Sequence, residues 1–426
     1  MDKNPILLKQ VIIADPQVSY DGAQDILIEN GVITAISREI PAENARVIDG
    51  AGRLVVFPGL FDMHVHLRDP GFTHKEDILT GTDAAKAGGF TAVACMPNTK
   101  PVLDAPELVR YIEEKSAHTG VKVYPVTAIT KGMRGDTLAD FDALVDCGVK
   151  AISDDGRPVE NAELMRKALE LSVKNGLTVI SHCEDLSIIN GGIINKGAVS
   201  EALGVRGMDR ASEDSITARE IALAMSCGAH IHIAHVSTAG SVNIIRAAKA
   251  DGVRVTCETC PHYFTYTDEK LLTRDADYRM SPPLRTEADR AAVEAAVIDG
   301  TIDCIVTDHA PHTAAEKADF EKAPNGVVGL ETSLAMTLTK LYHTGKLTLA
   351  EVAQRMSVAP RKILGIAPLA VAPGMPADLT VADPDLCWEV IAQELHSKSK
   401  NTVFKGEICK GKVLYTISAG KLVFAL

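Results

Sequence analysis

Between residues 55 and 307 the chain alternates short apolar runs with segments whose apolar residues recur at helical spacing. The runs are Val55 to Val65, Thr91 to Cys95, Val121 to Ala128, Val149 to Ser153, Leu177 to Ser181, Ile231 to Val236, Val253 to Cys257 and Ile302 to Thr307. Helix-period stretches such as Ala162 to Asn175 and Glu213 to Cys227 fill the intervals, which signals repeated βα units. Eight strands in series predict a closed α/β barrel of the (β/α)8 TIM type rather than an open sheet.

The two ends of the chain read differently. Ile26-Leu27-Ile28-Glu29 and Val32-Ile33-Thr34-Ala35-Ile36 flank Asn30-Gly31, a hairpin turn. Similar material returns at Ala377 to Val381, Gly411 to Tyr415 and Gly420 to Phe424. The expectation is a small discontinuous β-sandwich domain from residues 1–55 and 370–426 around a catalytic barrel at 56–369. No sequence repeat or low-complexity tract interrupts this plan.

Composition narrows the function. A formal net charge of -12 repels phosphate backbones and anionic membranes, so a small-molecule substrate is expected, with neither nucleic acid nor membrane as partner. Nine cysteines, spread from Cys95 to Cys409 without framework spacing, read as reduced thiols in the cytoplasm. Met1 to Pro5 is charged and leads only into the run Val11 to Ala14, too short for a signal-peptide core. No apolar stretch reaches the roughly 18 residues of a membrane span.

The chemistry gathers where runs end. In Asp62-Met63-His64-Val65-His66-Leu67-Arg68, strand alternation puts Asp62, His64, His66 and Arg68 on one face. His-x-His on a strand is a good chelate, because same-face residues lie about 7 Å apart at the backbone, within reach of one divalent ion. Ligand-type residues recur at other run ends: Asp154 and Asp155, His182, His235, then Asp308, His309 and His312. In barrel enzymes catalytic groups sit on that face, so five such ends point to a metal site.

Other candidates read as chemically silent. Cys257 and Cys260 form C-x-x-C without a second pair to complete a zinc site. His230 and His232 have parity opposite to His235 and are expected to pack or meet solvent. His262 could orient a neighbour or be a satisfied loop histidine. His74, His118, His343 and His396 read as surface residues.

The stretch from Phe57 to Gly71, FPGLFDMHVHLRDPG, resembles the signature of dihydroorotases of the bacterial class I type, in the amidohydrolase superfamily. Met96-Pro97-Asn98-Thr99, Ser153-Asp154-Asp155-Gly156, His182-Cys183-Glu184, His235 to Gly240, Pro282 to Arg285 and Thr307 to His312 resemble further family blocks in the family order, covering essentially the whole chain. The resemblance implies two Zn2+ per chain, one held by His64, His66 and Asp308, the other by His182 and His235, with Asp155 bridging. Many superfamily relatives bridge with a carboxylated lysine, and Lys150 stands five residues upstream; Asp155 is favoured because it lies beyond the strand end and matches the class I pattern. Asp308 would be the catalytic proton carrier, and His66, Arg68, Asn98, Ser281, His312, Asn325 and Gly326 would meet substrate.

Two positions depart from the family pattern: Ser281 replaces the usual asparagine before Pro-Pro-Leu-Arg, and Asn325 replaces the usual phenylalanine before Gly326, in the polar segment 313–326 that resembles a substrate-covering loop. Both touch ring recognition rather than metal chemistry. The implied activity is reversible cyclisation of N-carbamoyl-L-aspartate to L-dihydroorotate in pyrimidine biosynthesis, by a homodimer able to associate with aspartate transcarbamoylase. The stretch Glu258 to Tyr263 also resembles allantoinases and hydantoinases. A third reading, an inactive structural partner of aspartate transcarbamoylase, would be expected to lack metal ligands, and none is missing.

Overall fold

The computed structural model describes residues 5–41 and 44–426. Residues 1–4, on which the leader reading partly rests, lie outside the described residues.

The barrel is present. Leu60–Val65, Phe90–Cys95, Lys122–Thr127, Ala151–Ile152, Thr178–Ser181, Ile231–Ile233, Val255–Thr259 and Cys304–Ile305 pair in parallel, each with the next. A parallel bridge from Val65 to His309 closes the ring, and the His66 N–H donates to His309 O at 2.8 Å. The intervening helices start and stop where local chemistry dictates. Asn161 caps Ala162–Asn175 through its side chain, Gly176 at φ 64° ends it, and Met165, Ala168, Leu169 and Ser172 form its buried stripe.

One expected strand is two. The run Val55 to Val65 breaks at Gly59 into Val55–Pro58 and Leu60–Val65. A Cβ at Gly59 would stand 2.2 Å from Thr91 Oγ1, so only glycine lets the chain pass there. Val55–Pro58 pairs with Leu379–Glu389 and with the end of Ile6–Ile13, which places it in the terminal sheet.

That sheet runs in the order Lys421–Ala425, Ile408–Ser418, Leu379–Glu389, Val55–Pro58, Ile6–Ile13, Gln24–Glu29, Val32–Ser37, with Arg46–Asp49 also on Ile6–Ile13. The register of Ile6–Ile13 breaks between Leu8 and Val11, with Gln10 at φ 50°. The bulge divides the strand between two layers. Ile6, Leu8, Ile26 and Ile33 from one layer enclose a small core with Val56, Leu379, Val381 and Ile417 from the other. Asn30 and Gly31 both take positive φ, 50° and 87°, as a two-residue hairpin turn of this hand requires.

Segment 395–404, which the sequence reading allots to the terminal unit by position, packs on the barrel mouth. Ser397 Oγ and the Lys398 N–H both donate to Glu76, and Asn401 Oδ1 accepts from the His312 N–H at 3.1 Å. Among the described residues no helix is long and apolar enough to cross a membrane.

Candidate metal centre

The first barrel strand delivers two imidazoles into the lumen. Asp62 fixes it there, accepting from the His64 N–H at 3.0 Å and from the Thr307 N–H at 3.1 Å, which ties the first strand to the eighth. Burial pushes the Asp62 carboxyl up to about 7. His64 Nε2 lies 3.3 Å from Asp155 Oδ1 and 3.6 Å from Asp308 Oδ1. His66 Nε2 lies 3.1 Å from Asp308 Oδ1 and 3.3 Å from Asp155 Oδ2. Across the site, His182 Nδ1 and His235 Nε2 are 2.9 Å apart and each 3.6 Å from Asp155 Oδ1.

All six side chains are buried. Ligand atoms about 2.0–2.2 Å from a tetrahedral ion stand roughly 3.3–3.6 Å from one another, and most of these contacts fall at that edge length. They are longer than good hydrogen bonds, and His64 Nε2 and Asp155 Oδ1 have no hydrogen-bond partner although both are buried. Donor atoms of His64, His66 and Asp308 lie mutually within 4.8 Å, as do those of His64, Asp155 and His235. The residues therefore fit a metal centre. Lys150, the alternative bridge, is exposed, and Asp155 holds the central place.

Charge follows from the same packing. Burial would raise Asp155, but the neighbouring imidazoles, His64 foremost and then His182 and His235, hold it well below the carboxylate range. Asp308 is likewise held low against burial, through His66 and the charges of His64 and His235. Burial would lower His182, but Asp155 and Glu184 lift it to about 10.

Three site residues sit at positive φ: Arg68 at 59°, His235 at 33° and Asp308 at 47°. Each follows the end of its strand, and the left-handed turn re-aims the side chain, so simple alternation no longer holds. His232 packs, as expected, but opposite parity does not keep it and His235 from facing the same side. It is fully buried, and both it and His235 face the lumen three residues apart. His232 Nε2 is 3.1 Å from Glu258 Oε2, whose other oxygen is 2.5 Å from His64 Nδ1. His230 is half-buried at the opposite barrel end.

Glu258 and Glu184 are carboxylates facing candidate ligands that spacing does not reveal. Glu184 Oε2 accepts from His182 Nε2 at 2.8 Å and from Ser281 Oγ at 2.6 Å. Glu258 was hidden inside C-E-T-C; Cys257 and Cys260 are indeed buried free thiols. Cys304 approaches His232 and Glu258, but burial pushes its thiol far up and keeps it protonated.

A cavity of about 270 Å³ opens over the cluster, bordered by Arg68, Asn98, Ser281, His312, Asn325 and Gly326. Asn98 Oδ1 is 2.7 Å from His66 Nδ1, so it orients a candidate ligand while its amide nitrogen stays available. Lys75 Nζ donates to His312 Nδ1 at 3.1 Å, which leaves Nε2 as the donor to Asn325 O at 2.9 Å. Burial, with Arg68 and Lys75 nearby, keeps His312 neutral. A Cβ at Gly326, φ 139°, would meet Ala310 at 2.8 Å. Asn325 Oδ1 accepts from Arg279 Nη2 at 3.3 Å.

Other predicted candidates turn away. Asp154 accepts from the Ile129 and Thr130 N–H groups. His309 faces Glu76 at 3.5 Å. His262 is buried edge-on to Tyr263 with Nε2 unpartnered, so it neither orients a neighbour through that nitrogen nor is satisfied there. His74, His118 and His396 are exposed, although His396 pairs with Glu331 at 2.8 Å; His343 is half-buried and bonded to Pro384 O.

Comparison with known proteins is decisive on kinship. A family model described as dihydro-orotase-like matches residues 52–241. The dihydroorotase of Geobacter metallireducens is 50% identical over 98% of this chain and 99% of its own length. The chain belongs to the dihydroorotase family. The dihydroorotase of Pelotomaculum thermopropionicum is 46% identical over 98% of each chain. Among solved structures, the dihydropyrimidinase of Brevibacillus agri superposes with a TM-score of 0.87 over 99% of this chain and 95% of its own, at 24% identity. The L-hydantoinase of Arthrobacter aurescens gives 0.87 over 99% and 97%, also at 24% identity. These two likenesses speak to the fold alone, a barrel with an appended β unit.

Proposed function

We propose that the chain is a zinc-dependent dihydroorotase, interconverting N-carbamoyl-L-aspartate and L-dihydroorotate, with two Zn2+ per chain. The observation that carries this reading is the single cavity in which Arg68, Asn98 and His312 face the buried imidazole–carboxylate cluster. His64, His66 and Asp308 would hold one ion, His182 and His235 the other, and Asp155 would bridge them. Bound there, the metals would supply Lewis acidity toward the ring carbonyl and lower the pKa of a water.

The rest is the work of the chain. Arg68, pushed down by burial to about 10, keeps its charge at neutral pH and presents a planar fork to the substrate carboxylate. Asn98 and His312 complete that grip. Asp308, beside His66, takes the proton of the attacking water and returns it to the ring nitrogen as the C–N bond breaks; in the closing direction it runs in reverse. The nine free cysteines support a reducing, cytoplasmic setting.

The hydantoinase-like fold favours a second reading, a cyclic amidohydrolase acting on hydantoin or allantoin. The test is to start from each of the two proposed compounds with purified enzyme and follow both to equilibrium. Carbamoyl aspartate carries one more carboxylate than dihydroorotate, so closure consumes a proton and the closed-to-open ratio should rise about tenfold per pH unit of acidification. Failure to interconvert them from either side, with turnover of hydantoin or allantoin instead, overturns the reading. Elemental analysis settles the metal count, and unchanged content in Asp155→Ala would remove the bridge.

A further inference from the structure

Below the metal centre a line of side chains runs down the barrel lumen to a second cavity, of about 580 Å³, at the opposite end. It begins at His64 Nδ1, 2.5 Å from Glu258 Oε1. Glu258 Oε2 is 3.1 Å from His232 Nε2, and His232 Nδ1 is 2.8 Å from Thr256 Oγ1. Thr256 Oγ1 is in turn 2.8 Å from His230 Nε2, and Thr256 and His230 both border the lower cavity. His64, His232 and Glu258 are fully buried.

The donor and acceptor inventory gives this line a direction. Glu258 sets one carboxylate oxygen 2.5 Å from His64 Nδ1 and the other 3.1 Å from His232 Nε2, and a carboxylate between two imidazoles accepts from both, so His64 Nδ1–H and His232 Nε2–H point at it. With His232 as a neutral imidazole that donates through Nε2, its Nδ1 carries the lone pair and accepts. The one hydroxyl hydrogen of Thr256 must then go to His232 Nδ1, which leaves the threonine oxygen to accept from His230 Nε2–H. Reversing any bond leaves two hydrogens or two lone pairs face to face. With Nδ1 holding hydrogen, His64 keeps Nε2 free toward Asp155 and Asp308.

We propose that Glu258, His232 and Thr256 are positioning residues that lock the tautomer and ring orientation of His64, so that a hydroxyl near the far end of the barrel governs how tightly the metal centre is held. This rests on the metal reading above, and goes beyond it in assigning a role to residues that touch neither metal nor substrate. Partners of metal-bound imidazoles typically change metal affinity about 10- to 100-fold when removed.

Two measurements test it. In the wild-type holoprotein labelled with 15N-histidine, the His232 resonances, identified by their loss in His232→Gln, should show a neutral ring with hydrogen on Nε2 at neutral pH. An imidazolium, or hydrogen on Nδ1, overturns the proposal, and does so whatever substrate or metal the enzyme uses. Thr256→Val, nearly isosteric, should speed loss of zinc to a chelator about tenfold, the lower end for such partners, and Thr256→Ser should restore the wild-type rate. Equal rates in valine and wild type, or serine as impaired as valine, overturn it. Should the valine variant fail to fold, the wild-type spectrum still decides. Absence of bound zinc in every sample, with the expected His232 tautomer present, would instead be a failure of the metal reading.

Discussion

Ser281 Oγ donates to Glu184 Oε2 at 2.6 Å, and the same oxygen accepts from His182 Nε2 at 2.8 Å. Position 281 borders the substrate cavity, yet its one hydrogen is spent on the carboxylate that orients a candidate metal ligand. The hydroxyl therefore supports the carboxylate behind His182 and has no hydrogen left for the cavity. Ser281→Ala should lower stability by about 1–3 kcal/mol, the cost of leaving a buried charged acceptor short of a donor. The Michaelis constant for dihydroorotate should stay where it is. Thermal unfolding beside steady-state kinetics checks both; a large rise in the constant with unchanged stability would place the hydroxyl on the ring.

Asp308 is held as a carboxylate 3.1 Å from His66 Nε2, and its backbone at φ 47° aims it at the cluster from the end of the eighth strand. Asp308→Asn keeps the shape and removes the proton acceptor. Turnover should fall about 10²- to 10⁴-fold in protein matched for metal content. Near-full activity at equal metal content would take the proton-carrying role away from this residue.

How far the sequence foretold this site depends on where strands end. His64 and His66 lie on and just beyond a regular strand, and the two-residue period found both. His232 and His235 straddle a strand end, where the turn at His235 breaks the period and brings both inward. Parity alone therefore assigned His232 to packing. Glu258 and Glu184 escaped because a single buried carboxylate has no periodic signature; only the imidazole it faces reveals its use. Val55 to Val65 read as one strand because hydrophobicity does not register Gly59, where the chain passes Thr91 too closely for any side chain. Segment 395–404 was assigned by sequence position, whereas Ser397 and Asn401 are held at the barrel mouth by Glu76 and His312.

Arg68 donates from Nε to Pro311 O at 3.2 Å, which fixes the guanidinium plane at the cavity edge. A lysine keeps the charge and loses the fork. Arg68→Lys should raise the Michaelis constant for dihydroorotate about 10- to 100-fold, the loss of one charge-assisted hydrogen bond. If binding of dihydroorotate is unaltered, the carboxylate is gripped elsewhere.

Lys317 lies in the segment between His312 and Asn325, which border the cavity, and it is buried with its ammonium donating to Arg279 O and Pro324 O, each at 3.0 Å. Both partners are neutral carbonyls, and no carboxylate pairs with it among the described residues. Burial pushes its pKa down to about 7 from an ordinary 10.5. In the window between these values the folded protein holds this lysine neutral while the unfolded chain holds it protonated. The unfolded state then binds more protons, so this group makes stability rise with pH from about 7 to about 10.5, and its full penalty is present below 7. Lys317→Met removes the titration and keeps the stem. Unfolding temperatures taken from about pH 7 to pH 10 should climb more steeply in the wild type than in the variant, because every other titrating group is common to both and cancels in the difference. Parallel curves would mean that the folded segment lets this lysine keep its proton, and that its burial is relieved by water or by opening of the loop.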